Sequence, residues 1–288
     1  SSRLKGRTGG CAELFNLPPV QFIKQRSMSY KNDGSVHHGG VQNEKDMCAF
    51  LTEIDHYGCE LVHRGGTKQV QDADTKNGDE ATIKKWEGAT HDWYNSSPLA
   101  REVGLSDRIQ PFIKKFKKEI ANIPADEHYT YRKEQEEKLR EFIADSLDEL
   151  CTDAFADKFV REFINHSKGM DVIINEIKEK KVHIYKFDQH PAVVYYNKGY
   201  KPVIISKSGK KKCSRNIFMV KDGDKVDIGL RVRFVTNNGL KPFTKEGSTN
   251  KSTTATIKLQ QDNVKNILSK VTKVCYPVVD ETNVYPDW

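Results

Sequence analysis

Apolar positions change their spacing twice along the chain, first from sparse to helical and then from helical to alternating. Val41, Met47 or Cys48, and Leu51 recur at helical intervals and predict a short first helix. Residues 59–63 then read as a strand, Gly65-Gly66 breaks it, and two polar, strand-compatible stretches flank Asn77-Gly78, the strongest short hairpin signal. From about residue 106 to 167 the pattern is amphipathic helix. Phe112, Ile113, Phe116 and Ile120 share one face, with Lys114, Lys115, Lys117 and Lys118 on the other. Leu139, Phe142, Ile143, Leu147 and Leu150 form a second stripe, and Phe159, Val160, Phe163 and Ile164 a third. Beyond Lys181 the runs predict strands over 182–187, 192–196, 202–206, 217–220, 227–236 and 253–260, then a last helix over 262–271 and a Pro-containing tail. In the two longest strands Ile228, Leu230, Val232 and Phe234 share a face opposite Arg231 and Arg233, and Ala255, Ile257 and Leu259 share one opposite Thr256 and Lys258.

This order predicts an α/β protein with one central mixed sheet, flanked by helices and carrying a helical insertion. It divides the chain into a basic arm (1–33), a core holding the hairpin (34–105), a helical segment (106–180), and a β-rich basic part of the same domain (181–288). At 288 residues the chain is long enough to bury its core without disulfides or a structural metal. Its 6 cysteines are scattered, with no CxxC or Cys/His cluster of the kind zinc requires, and read as reduced thiols. His37, His38, His56 and His63 match no zinc or HNH spacing either. With no secretory signal at its start and no apolar run of membrane-spanning length, the sequence predicts a soluble, intracellular, cytoplasmic protein.

Charge changes the picture through its distribution. The net charge is +7, yet residues 196–275 hold 18 Lys/Arg against 5 Asp/Glu, a local balance of +13 that leaves the remainder of the chain at −6. A basic region of that density attracts a phosphate backbone by counterion release. Arg231, Arg233, Lys241, Lys245 and Lys258 are the candidates for DNA contact, to phosphates and, through an arginine, to guanine edges. Trp93 and Tyr94 have the rings that base stacking needs but are assigned to the core, where strand aromatics usually lie.

The candidate chemistry lies on the hairpin. Metal-dependent phosphodiester cleavage needs a few oxygen ligands around Mg²⁺ and a cation or base that helps activate water. Asp72 and Asp74 precede the turn, and Thr82-Ile83-Lys84 follows it. A three-residue Asn77-Gly78-Asp79 loop would set Asp74 opposite Thr82 and Asp72 opposite Lys84, all on one face. A two-residue Asn77-Gly78 loop would shift the register by one and separate them.

With an aspartate, a gap, and then Thr82-Ile83-Lys84 on the next strand, the chain resembles the PD-(D/E)xK nucleases, which include type II restriction enzymes and phage and resolvase relatives. The resemblance spans roughly residues 40–97. It implies a restriction-endonuclease-like fold, in which Asp74 (or Asp72) is the first acid, Lys84 is the lysine, and Glu44 on the preceding helix is similar to the supporting helix glutamate of many members. Thr82 stands where the family carries Glu or Asp, and Glu80 or the Ile83 carbonyl are the alternatives for the missing ligand. By this resemblance Asp74, Glu44 and Asp72 hold Mg²⁺, for which Mn²⁺ substitutes, Lys84 orients the attacking water, and Thr82 assists. It further implies a homodimeric, site-specific endonuclease of double-stranded DNA. A structure-specific, homing or repair nuclease such as a junction resolvase shares the same site, and a DNA-binding protein without catalysis would need only the basic strands.

Overall fold

The computed structural model describes residues 35–65, 71–86, 91–205, 214–236, 255–261 and 263–278. The chain opens with helix α1 (Ser35–Glu53) and strands β1 (Leu61–His63), β2 (Ala73–Thr75) and β3 (Glu80–Trp86). Strand β4 (His91–Ser96) follows, then helices α2 (Ser97–Glu102), α3 (Leu105–Ile120), α4 (His128–Leu150) and α5 (Asp153–Ser167). Next come β5 (Asp171–Glu176), β6 (Lys181–Lys186), helix α6 (Pro191–Asn197), β7 (Lys201–Ile205), β8 (Ser214–Lys221) and β9 (Asp224–Thr236). Strand β10 (Ala255–Gln261), helix α7 (Val264–Lys270) and β11 (Val274–Pro277) complete the described order. The protein is thus mixed α/β.

Its strands form two sheets rather than the one central sheet expected. One has the order β1-β2-β3-β5-β6-β11, and the other β4-β10-β9-β8-β7. The chain divides accordingly into two units, residues 1–87, 169–186 and 272–288 in the first and 88–168 and 187–271 in the second. The boundaries expected at 105/106 and 180/181 therefore do not match these units. The cause is β4, which pairs with β10, Tyr94 opposite Leu259 and Ser96 opposite Ile257, instead of extending the hairpin sheet. Its aromatics also pack within the second unit: the Trp93 and Tyr94 rings lie 6.2 and 6.4 Å from that of Phe163.

In the first unit, α1 buries Met47, Cys48 and Leu51 on one face of the six-stranded sheet, against Ala73, Ala81, Ile83, Ile173, Val182 and Ile184. Alternation along β3 puts Ala81 and Ile83 toward that core and leaves Thr82 and Lys84 on the other face. Strand β5 runs parallel to β3, with Ile83 opposite Ile173, and antiparallel to β6. All six of its residues are buried, which explains why a pattern of alternation did not predict it.

In the second unit the five strands are antiparallel, and Leu230, Val232, Phe234, Ile257 and Leu259 are buried as their alternation predicts. Arg215, also buried, donates from Nε to Asp148 Oδ1 at 2.8 Å and from an Nη group to the Ala144 carbonyl at 3.0 Å, tying β8 to α4. Residues 192–196, expected as a strand, lie in α6. Pro191 sits at its first turn and His190 Nδ1 accepts the Ala192 N–H at 3.1 Å, so a helix start outweighs the β-preference of Val193 and Val194. Among the described residues, no helix is long and apolar enough to cross a membrane.

Candidate active site

The hairpin turn is Lys76-Asn77-Gly78. Thr75 N donates to Asp79 O at 2.9 Å, Gly78 N to Thr75 O at 3.1 Å, and Gly78 takes a φ of 89° that a side chain would resist. Thr75 Oγ1 reinforces the closure, donating to Asp79 Oδ2 at 3.0 Å and accepting from Asp79 N at 3.1 Å. Ala73 therefore pairs with Ala81 and Asp74 with Glu80. This is two positions away from the expected register in which Asp74 faces Thr82, because the loop begins at Lys76 and not at Asn77. A shift of two preserves alternation, so Asp74, Glu80, Thr82 and Lys84 still share a face. Asp72 stays with Lys84 as expected, but the shift changes which aspartate meets Thr82.

That aspartate is Asp72. Its Oδ2 accepts three hydrogen bonds: from Ile83 N at 2.7 Å, Thr82 Oγ1 at 2.9 Å and Lys84 Nζ at 3.0 Å. The Asp72 amide donates to Ala81 O and its carbonyl accepts from Arg64 N, both at 2.9 Å, so backbone bonds on two sides fix the residue. Lys84 and Asp72 are sheltered, with side chains 15% and 22% exposed. Thr82, 6% exposed, is a buried hydroxyl whose hydrogen is committed to Asp72. Glu80, the alternative for the missing acid, is exposed and paired across from Asp74.

Asp74, the acid expected to serve the metal first, is engaged elsewhere. Arg64 Nε donates to both of its oxygens at 3.0 Å. Glu44 is likewise committed through one oxygen, since its Oε2 lies 2.8 Å from His63 Nε2. Gly65 packs directly on that pair. A Cβ there would collide with His63 Nε2 and come within 2.7 Å of Glu44 Oε2. Burial, followed by the Glu44 and Asp72 carboxylates, pushes the Cys48 thiol up to about 12, so this cysteine is not a nucleophile at neutral pH. The structure thus brings Asp72, Thr82 and Lys84 together and gives Asp74 and Glu44 separate partners.

Among the described residues no three His, Cys, Asp or Glu side chains gather as for a metal cage. Mg²⁺ does not require one, because it commonly takes one or two carboxylates and fills its remaining positions with water and substrate phosphate. Asp72 suits that mode of binding. Its three donors all use Oδ2, and among the described residues none is directed at Oδ1.

Sequence reasoning missed Arg64, and weighed His63 only for a zinc or HNH site that its spacing does not match. Both stand beside the Gly65-Gly66 break in a segment read only as a strand and its end. Their partners depend on strand register, with His63 opposite Ala73 and Val62 opposite Asp74.

Of the residues assigned to DNA contact, Arg231 and Arg233 lie on β9 and Lys258 on β10. Lys258 stands opposite Arg233 and Gln260 opposite Arg231, all on the face away from Leu230 and Val232. Arg231 Nε donates to Gln260 Oε1 at 3.2 Å. Lys241 and Lys245 lie outside the described residues. No protein-family model matches the chain, and no significant match is found among curated proteins or solved structures.

Proposed function

We propose that this protein is a Mg²⁺-dependent endonuclease acting on double-stranded DNA, with its reaction centre at Asp72, Thr82 and Lys84. The observation that carries the reading is the convergence of Thr82 Oγ1, Ile83 N and Lys84 Nζ on one Asp72 oxygen. It gathers a carboxylate and a lysine ammonium on a short hairpin, the pair that the resemblance to PD-(D/E)xK nucleases implies. Asp72 would hold the ion through Oδ1. Mg²⁺, when bound, supplies charge neutralisation at phosphate oxygens and a more acidic water.

The protein's own groups contribute the remainder. Lys84, held by Asp72, presents an ammonium to the scissile phosphate and stabilises the charge that grows there. Thr82 fixes the carboxylate by donating to Oδ2. Arg231, Arg233 and Lys258 supply a cationic sheet face in the second unit that suits a phosphate backbone. Helix α1 preceding a mixed sheet with the hairpin in it is compatible with a restriction-endonuclease-like fold, and a homodimer cutting at a specific site belongs to the same proposal.

The test is incubation of duplex DNA with the full chain in Mg²⁺ and in EDTA. Discrete, Mg²⁺-dependent fragments are expected. A smear, or cutting confined to junctions, would transfer the activity to a shape-reading nuclease. No Mg²⁺-dependent cutting of any duplex or junction would end the nuclease reading and leave a DNA-binding protein.

A further inference from the structure

Arg64 is held at both ends, yet among the described residues its two Nη groups stay open. Its backbone N–H donates to the Asp72 carbonyl at 2.9 Å, and its Nε donates to both Asp74 oxygens at 3.0 Å. The side chain is 47% exposed against 22% for Asp74. Among the described residues nothing engages its Nη1 and Nη2 groups.

Asp72 and Asp74 are two residues apart, so their Cα atoms lie within about 7 Å of one another. One carboxylate holds the Lys84 ammonium and the other the Arg64 guanidinium. Two cations are thereby anchored to one short stretch of chain. A half-exposed ion pair contributes little to stability. A guanidinium anchored at Nε, however, presents its two Nη groups as a planar fork that fits two oxygens of one phosphate.

The same contacts disfavour a metal ion at Asp74. A divalent cation there would have to share both carboxylate oxygens with an adjacent guanidinium, and the two positive charges repel.

We propose that Arg64 is a phosphate-binding residue for the DNA backbone beside the Asp72–Lys84 centre, and that Asp74 is its positioning residue and not a metal ligand. This inference rests on the nuclease reading for its location but not for its test.

Duplex binding by the full chain is measured by fluorescence anisotropy in EDTA over a range of salt. Each phosphate contact contributes about 0.9 to the slope of log K against log salt. Arg64→Ala is expected to lower the slope by about that amount and weaken binding severalfold, whereas Arg64→Lys, which keeps the charge, retains the slope. Circular dichroism of both variants verifies that they are folded. An unchanged slope in folded Arg64→Ala overturns the proposal, as does a failure of the parent protein to bind duplex DNA.

A second arm separates the roles of the two aspartates. The Mg²⁺ concentration giving half-maximal cleavage is expected to stay within about twofold in Asp74→Asn while KM for DNA rises, and to rise at least about tenfold in Asp72→Asn. A tenfold rise in Asp74→Asn would make Asp74 a metal ligand and refute the assignment. If the parent protein binds DNA but does not cut it, the nuclease reading fails and the salt slope alone decides the role of Arg64.

Discussion

At the scale of single residues, the hairpin separates groups that look alike in sequence. Asp72 and Asp74 both precede the turn, but three donors converge on one oxygen of Asp72 while Asp74 takes an arginine. Under the proposed function, Lys84→Ala is expected to abolish cleavage, by at least about 100-fold, with duplex affinity near that of the parent. Gel assays for cutting and anisotropy for binding check this, and retained cutting would place the reaction centre elsewhere. Gly65 gives a prediction independent of function. A methyl group there strikes the side-chain ends of the Glu44–His63 pair, so Gly65→Ala should push them apart and cost the first unit about the 0.5–1.5 kcal/mol of one hydrogen bond. Urea titration followed by far-UV circular dichroism reads the loss, and an unchanged midpoint would mean the two side chains swing aside without cost.

At the scale of elements, hairpin register and the start of α6 decide the most. The three-residue turn keeps Thr82 and Lys84 on the same face as Asp74, away from α1, so alternation survives a register different from the expected one. In α6, His190 is fully buried, and burial lowers its pKa to about 3 while its Nδ1 accepts the Ala192 N–H. The folded state therefore holds this histidine neutral. Above pH 6.5 both folded and unfolded states are neutral, and the contribution of His190 to stability is complete. As pH falls from 6.5 toward 3 the unfolded state takes up a proton that the folded state refuses, and stability drops by up to about 1.4 kcal/mol per pH unit. His190→Asn keeps a helix-capping acceptor and removes the titration. It should be less stable than the parent at pH 7 but show a shallower stability slope between pH 5 and 6.5, measured by urea unfolding at each pH. An unchanged slope would assign the dependence to His56 and His183, whose pKa values burial also lowers.

At the scale of the whole molecule, the first unit is assembled from three separate stretches of chain. Residues 1–87 carry α1 and β1 to β3 but lack β5, β6 and β11, and with them the buried Ile173, Val182 and Ile184 that complete the α1 core. A fragment of residues 1–87 is therefore expected not to unfold cooperatively, because β3 loses its parallel neighbour and the core its far side. A sigmoidal urea transition in that fragment would show that α1 and the hairpin suffice alone.

The amino-acid pattern by itself determined the amphipathic helices, the alternating faces of β9 and β10, and the hairpin carrying Asp72, Asp74, Thr82 and Lys84, because each depends on residues a few positions apart. Asn77-Gly78 announced a turn, and the even spacing of the charged residues kept most of them on one face. What lay beyond its reach depends on contacts between distant segments. Strand β5 shows no alternation because its side chains are buried on both faces of the sheet, where it lies between residues 80–86 and 181–186. The division into two sheets follows from β4 pairing with β10, more than 150 positions later. Asp72 beside Lys84 was expected from the spacing, but the passing of Thr82 from Asp74 to Asp72 and the capture of Asp74 by Arg64 came from the tertiary structure, because strand pairing sets which carboxylate reaches which donor. Local spacing specifies periodicity and turns, whereas register and neighbour are properties of the packed chain.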